Sequence, residues 1–200
     1  MLDLTIVLVD RGKVTIDEYH LNSDDTSYKD GKYYSGLAPG LSVLAVPLYL
    51  AVKSAFFFVP EELEERLDSF LRTSPGEKFA GDYSLRWTPK PSRQLALTIL
   101  ANVALGIIPN VLFAVMLFSF FEDISTRRNF NLFLVLTLSF ASTWFYHGTG
   151  LYTQTLATIF LFSSFFILWK KSRGGRIRGG SFWAGLLLGL GGATDIPALA

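Results

Sequence analysis

The chain has 200 residues, half of them apolar, with 18 Phe, no Cys and a formal net charge of +1. The missing cysteine excludes disulfides, thiolate metal ligands and a cysteine nucleophile, and a near-zero charge without a basic stripe excludes a nucleic-acid partner. With its positive mean hydropathy, this composition is too apolar for an ordinary soluble domain and predicts an integral membrane protein.

Met1–Val9 carries Asp3, lacks a basic leading region and is too short for a signal sequence or a span. Residues 17–40 then crowd Asp17, Glu18, Asp24, Asp25 and Asp30 together with Tyr19, Tyr28, Tyr33 and Tyr34. Carboxylates take protons from hydroxyls or hold a divalent cation, and tyrosine rings stack on sugars, so this density suits a carbohydrate or phosphate-linked substrate. The same residues also fit a solvated acidic loop in which Lys29-Asp30-Gly31-Lys32 forms a tight turn between short strands. His20 and His147 have no partners at metal-ligand spacing, so no metal ligands are expected.

Leu41–Val59 is 19 residues long but contains Pro47 and Lys53. The proline removes a backbone donor and the ammonium resists burial in lipid, which favours a juxtamembrane helix over a crossing one. Residues 60–71 read as a short amphipathic helix, with Pro60 at its entry, Glu61, Glu62, Glu64 and Glu65 in its first turns, and Leu63, Leu67, Phe70 and Leu71 on one face. That face is expected to rest on the membrane or on protein. Residues 73–93 form an irregular connection in which Trp87 is a candidate interfacial anchor.

Leu95–Phe121 contains no charged residue across 27 positions. At about 1.5 Å per residue it reaches roughly 40 Å, more than a ~30 Å hydrocarbon slab requires. Three further apolar runs, residues 130–146, 151–169 and 182–200, bring the count to about four spans. Pro109 should kink the first, and Gly185 and Gly189 in the last form a G-x-x-x-G pair suited to close helix approach or ordinary bundle packing. The loop at 170–181 holds Lys170, Lys171, Arg173, Arg176 and Arg178 without an acid. Under the positive-inside rule it is cytoplasmic, and counting back places residues 1–94 outside. The predicted fold class is an all-α membrane helical bundle of about four transmembrane helices, preceded by an extracytoplasmic loop region (1–94) with juxtamembrane helices at 41–59 and 60–71. The predicted location is the plasma membrane.

The order N-S-D-D-T-S-Y-K-D-G-K-Y-Y-S-G-L-A-P-G, Asn22 to Gly40, followed by Pro47 to Tyr49 in an apolar helix, resembles the first extracytoplasmic loop of GT-C-type membrane glycosyltransferases. These polytopic enzymes are related to the protein O-mannosyltransferases and the lipid A aminoarabinose transferases. The marks of the resemblance are an Asp in the place of Asp25, the G-x-Y-Y-S turn at Gly31–Ser35 and the P-G pair at Pro39 and Gly40. Thr143, Tyr146 and Tyr152 to Gln154 resemble the outer ends of the following spans. The resemblance implies transfer of a sugar from a polyprenyl-phosphate carrier to a protein, lipid or glycan acceptor outside the cytoplasm. By that implication Asp25 is the general base, with Asp24, Asp17 and Glu18 as substitutes. Lys32, Tyr34, Ser35, Tyr146, Tyr152 and Gln154 contact substrate, and a divalent cation is a possible cofactor.

Members of that family open with a transmembrane helix ending in an acidic motif and continue for several more spans, so a truncated gene product is expected. Two other functions fit the same residues. One is a non-enzymatic scaffold or transporter fragment, with Asp195 either a pathway residue or simply solvated at the outer end of its helix. The other is an inactive remnant of the glycosyltransferase fold.

Overall fold

A computed structural model of the chain describes residues 2–22, 25–73, 89–175 and 177–195. The structure is mostly helical and forms two compact units, residues 1–101 and 102–200.

In the first unit, α1 (Leu2–Arg11) buries Leu2, Leu4, Ile6 and Val7. It packs against α2 (Gly40–Leu44), α3 (Val46–Phe56) and α5 (Pro91–Ala101). Leu41, Leu97 and Tyr49 are almost wholly enclosed there; each leucine contributes about 1.5–3 kcal/mol by leaving water. Pro47 stands in the first turn of α3, where its missing donor costs no hydrogen bond and its fixed φ suits helix entry. The Thr5 hydroxyl donates to the Ser42 carbonyl at 2.9 Å, pinning α1 to α2.

Between α1 and α2 lie a 3-10 turn (Asp17–Asn22) and an antiparallel hairpin of β1 (Thr26–Lys29) and β2 (Lys32–Ser35). The register pairs Thr26 with Ser35 and Lys29 with Lys32. Asp30 and Gly31 have φ of 53° and 78°, the left-handed conformations that a two-residue hairpin turn demands and that Asp-Gly tolerates. The tight turn expected from Lys29-Asp30-Gly31-Lys32 therefore forms.

The amphipathic helix α4 (Glu61–Thr73) packs on α5, but not through its apolar side. Glu64 and Asp68 are 4% and 8% exposed, whereas Leu63 and Phe70 are 49% and 65% exposed. Polar contacts explain the choice. The Glu64 carboxylate lies 2.8 Å from Arg93 Nε and 3.3 Å from Lys90 Nζ, and Arg93 Nη2 donates to its second oxygen at 2.9 Å. Asp68 accepts the Ser92 N–H at 2.9 Å, satisfying a free donor in the first turn of α5, and Arg72 donates to the Pro89 carbonyl at 3.0 Å. Glu64, Asp68 and Arg72 recur every four residues and so share one face. Trp87 lies outside the described residues.

α5 runs on through a π-helical segment (Asn102–Ile107) into α6 (Ile108–Ile124). Pro109 offers no N–H to the carbonyl four residues back and crowds it, and the wider π turn absorbs the mismatch. Asn110 Nδ2 donates to the Gly106 carbonyl at 2.9 Å. Among the described residues, this Pro91–Ile124 helix is the one long and apolar enough to cross a membrane.

The apolar run 130–146 divides into α7 (Arg128–Phe140) and α8 (Thr143–Thr149). The break falls at Ser142, whose hydroxyl accepts the Trp144 N–H at 3.1 Å as the α8 N-cap. Next come α9 (Thr153–Ser172) and α10 (Gly180–Thr194), packed along each other. Their close approach uses Ala157, Ala184 and Gly191, since a Cβ on Gly191 would sit 3.2 Å from Leu161. A Cβ on Gly185 or Gly189 would meet nothing within 4 Å, so the G-x-x-x-G pair is not the α9 contact. Phe113, Phe120, Phe162, Phe165 and Trp169 form a chain of ring contacts with centroids 5.4–6.0 Å apart. At one end of this unit Lys170 Nζ pairs with Asp123 at 2.7 Å and Arg173 donates to the Asp123 carbonyl at 2.9 Å.

Candidate functional site

The hairpin brings four of the residues singled out in the sequence onto one small element. Asp25 is exposed just before β1, and its carbonyl accepts the Gly36 N–H at 2.8 Å, closing the open end of the hairpin. A Cβ at Gly36 would approach that carbonyl oxygen to 3.0 Å, so glycine lets the two strands close there. Ser35 ends β2 beside this closure, and its hydroxyl accepts the Leu37 N–H at 3.4 Å. Tyr34 is half-buried and bridges to Thr15. Lys32 is exposed at the turn, three residues or roughly 10 Å from Ser35 along the strand. Alternation puts Lys32 and Tyr34 on one hairpin face, Tyr33 and Ser35 on the other. Asp24 lies outside the described residues.

The two substitute acids are engaged elsewhere. Asp17 accepts the Tyr33 N–H at 2.7 Å, and that hydrogen bond is the main reason its carboxyl is held below the usual aspartate value. A lowered value makes Asp17 a weaker proton acceptor. Glu18 is ion-paired with Arg11. Beside them His20 stacks on Tyr33 with centroids 4.3 Å apart, and Tyr28 tilts against the same ring at 4.9 Å.

Tyr146, Tyr152 and Gln154 belong to the second unit. The two tyrosines meet with centroids 5.6 Å apart, and His147 packs edge-on against both at 5.3 and 4.7 Å. A Cβ at Gly150 would fall 2.4 Å from the Tyr152 ring, so this cluster requires glycine at the turn between α8 and α9. Gln154 is exposed in the first turn of α9, and its carbonyl accepts the Thr158 hydroxyl. The side chain of Thr143 lies outside the described residues. Among the described residues, no group of three or more His, Cys, Asp or Glu could hold a metal ion.

Sequence reading missed three polar clusters in the first unit, the first of them wholly buried and the other two partly exposed. Asp3 accepts hydrogen bonds from Asn22 Nδ2 at 3.3 Å and Gln94 Nε2 at 3.0 Å, and all three residues are buried. Burial pushes the Asp3 carboxyl above its usual value despite those donors. Asp10 accepts the Tyr49 hydroxyl at 2.7 Å and pairs with Lys53 at 2.6 Å. Lys53, whose charge argued against a crossing helix, thus has its counter-ion on α1. Burial first, then the Asp10 hydrogen bond, raise the Tyr49 hydroxyl above the usual phenol range; burial likewise pushes Tyr19 up to about 12. The third cluster is Glu64 with Arg93 and Lys90. These partners lie 19 to 91 residues apart, a separation that no local pattern encodes. The one available signal was an acid at Asp3 inside an apolar turn.

No protein-family model, curated protein or solved structure matches the chain.

Proposed function

We propose that this chain acts in an integral membrane glycosyltransferase that moves a sugar from a polyprenyl-phosphate carrier to an extracytoplasmic acceptor. The observation that carries this reading is the Thr26–Ser35 hairpin with Asp25 at its open end, where an exposed carboxylate, a tyrosine, a hydroxyl and an ammonium share one small element. In the reaction Asp25 accepts the proton of the acceptor hydroxyl as its oxygen bonds to the anomeric carbon. The bond from that carbon to the phosphate oxygen breaks, and the carrier phosphate leaves with the electron pair. Lys32 supplies a point charge for a phosphate oxygen, and the aromatic surface of Tyr34 suits a sugar ring.

In the same proposal the helices near 95–121, 130–146, 151–169 and 182–200 cross the plasma membrane, with the basic 170–181 hairpin inside and residues 1–94 outside. The continuous apolar runs and the five cations without an acid in the 170–181 loop support this topology. The test is transfer from a radiolabelled polyprenyl-phosphate sugar in membranes containing the full gene product. Asp25→Asn should lower turnover by about 10²–10⁴-fold, the usual contribution of a general base. Undiminished turnover would remove Asp25 from the mechanism.

A further inference from the structure

The unsatisfied feature of the first unit is the apolar side of α4. Leu63, Leu67 and Phe70 are all exposed, and the connection just before the helix adds Phe57 and Phe58, 84% and 83% exposed. Soluble surfaces scatter single apolar residues, but a contiguous stripe of this kind marks a binding face.

Three observations identify what covers it. First, α4 is fastened to a fixed level of the molecule. Its Glu64 grips Arg93 and its Asp68 caps the first turn of α5. Arg93 is the last cation before the 27 charge-free residues Leu95–Phe121. A 34-residue helix from Pro91 to Ile124 is roughly 50 Å long, against ~30 Å of hydrocarbon. Its first turn, where α4 is attached, therefore lies at the headgroup level. Second, the three sides of α4 are correctly spaced for a helix lying flat at that level. At about 100° per residue, the stripe of Leu63, Leu67 and Phe70 is roughly 110° from the docked Glu64–Asp68 face, and a similar angle from the face bearing Glu62, Glu65, Arg66 and Ser69. One side grips the span, one points into lipid and one meets water. Third, Glu62, Glu65, Arg66 and Ser69 are all exposed and line a shallow open depression, so the side turned away from the stripe and the span is polar and suited to water. Five acids against two bases in α4 leave no electrostatic attraction to anionic lipid.

We propose that α4 is an interfacial helix whose Leu63, Leu67 and Phe70 insert into the acyl–headgroup boundary of a bilayer, held there by the Glu64–Arg93 and Asp68–Ser92 contacts rather than by its own charge. This rests on the proposed crossing of the Pro91–Ile124 helix and not on glycosyl transfer.

The chain has no cysteine, so single-cysteine spin labelling is clean. Leu67→Cys, Phe70→Cys, Glu62→Cys and Glu65→Cys are reconstituted in phosphatidylcholine vesicles, and collision with oxygen is compared with collision with a water-soluble nickel chelate. The oxygen-to-nickel ratio at 67 and 70 should exceed that at 62 and 65 severalfold and should not change with salt. Equal ratios on the two faces would overturn the proposal. So would shielding of 67 and 70 from both reagents, which would mean that protein covers the stripe. A lipid-phase carbene reagent applied to the unmodified chain gives an independent reading: labelling of residues 63, 67 and 70 over 62 and 69 is expected, and even labelling would overturn it.

Discussion

The two units hold their helices together by different means. In residues 1–101 an apolar core around Leu4, Leu41 and Leu97 is joined by polar, specific fastenings: Asp3 with Asn22 and Gln94, Asp10 with Tyr49 and Lys53, Glu64 with Arg93. In residues 102–200 the main fastenings are phenylalanine and tryptophan rings and the small residues that let α10 lie against α9. A buried charge that loses its partner has nowhere to go, so polar contacts dictate which side of a helix faces inward. Apolar side chains make no such demand for one partner, so among the rings and small residues of the second unit steric fit decides. α4 is the clearest product of the first regime: it turns its hydrophobic stripe away from the protein because its acids have partners on α5.

The contrast can be broken most forcefully at Glu64. Glu64→Ala should destabilise the α4–α5 contact by on the order of 2–3 kcal/mol, below the cost of splitting a fully enclosed pair because Arg93 keeps part of its side chain in solvent. Protease cleavage within α4 should accelerate accordingly. Acid should act in the same direction. Burial alone would raise the Glu64 carboxyl, but the hydrogen bonds and charges of Arg93 and Lys90 outweigh it and hold the carboxyl below its ordinary 4.5. Its contribution is therefore complete above pH 4.5 and is lost as pH falls through the lower folded-state value. Glu64→Gln should flatten this acid-side loss in a proteolysis-versus-pH profile.

In the second unit Gly191→Val should cost about 1–3 kcal/mol through overpacking against Leu161, seen as a lower unfolding temperature in detergent. Asp3 separates charge from hydrogen bonding. Asp3→Ala strands two buried amides and should cost about 1–3 kcal/mol, whereas Asp3→Asn keeps an acceptor, removes a buried charge and should be nearly neutral. Because burial raises the Asp3 carboxyl, its charged form weakens the fold at neutral pH, and that penalty fades as pH falls through the raised value. The smallest effect is expected at Gly185→Ala and Gly189→Ala. Both positions are open, and each should gain up to about 1 kcal/mol from helix propensity. A loss there would reveal a partner on that face.

The hairpin was readable because Asp30-Gly31 is among the few pairs that accept two consecutive positive φ values. The apolar run beginning at residue 95 was readable as a helix from its length and lack of charge. The break at Ser142 was not, since a single hydroxyl in an apolar run gives no sign of capping a helix until the following N–H groups need an acceptor. On the candidate site, sequence indicated Asp25, Lys32, Tyr34 and Ser35 as neighbours. It missed the engagement of Asp17 and Glu18, because their partners sit 16 residues ahead and seven behind.

Sequence by itself determined the Asp30-Gly31 turn, the amphipathic helix beginning near residue 61 and the apolar helix beginning near residue 95, since these follow from residue type, local period and backbone freedom. Tertiary structure alone decided which side of α4 is buried, which glycine α10 uses to approach α9, and which acids are already paired. Those outcomes depend on partners up to 91 residues away, and the energy of a charge is set by the groups that surround it in space.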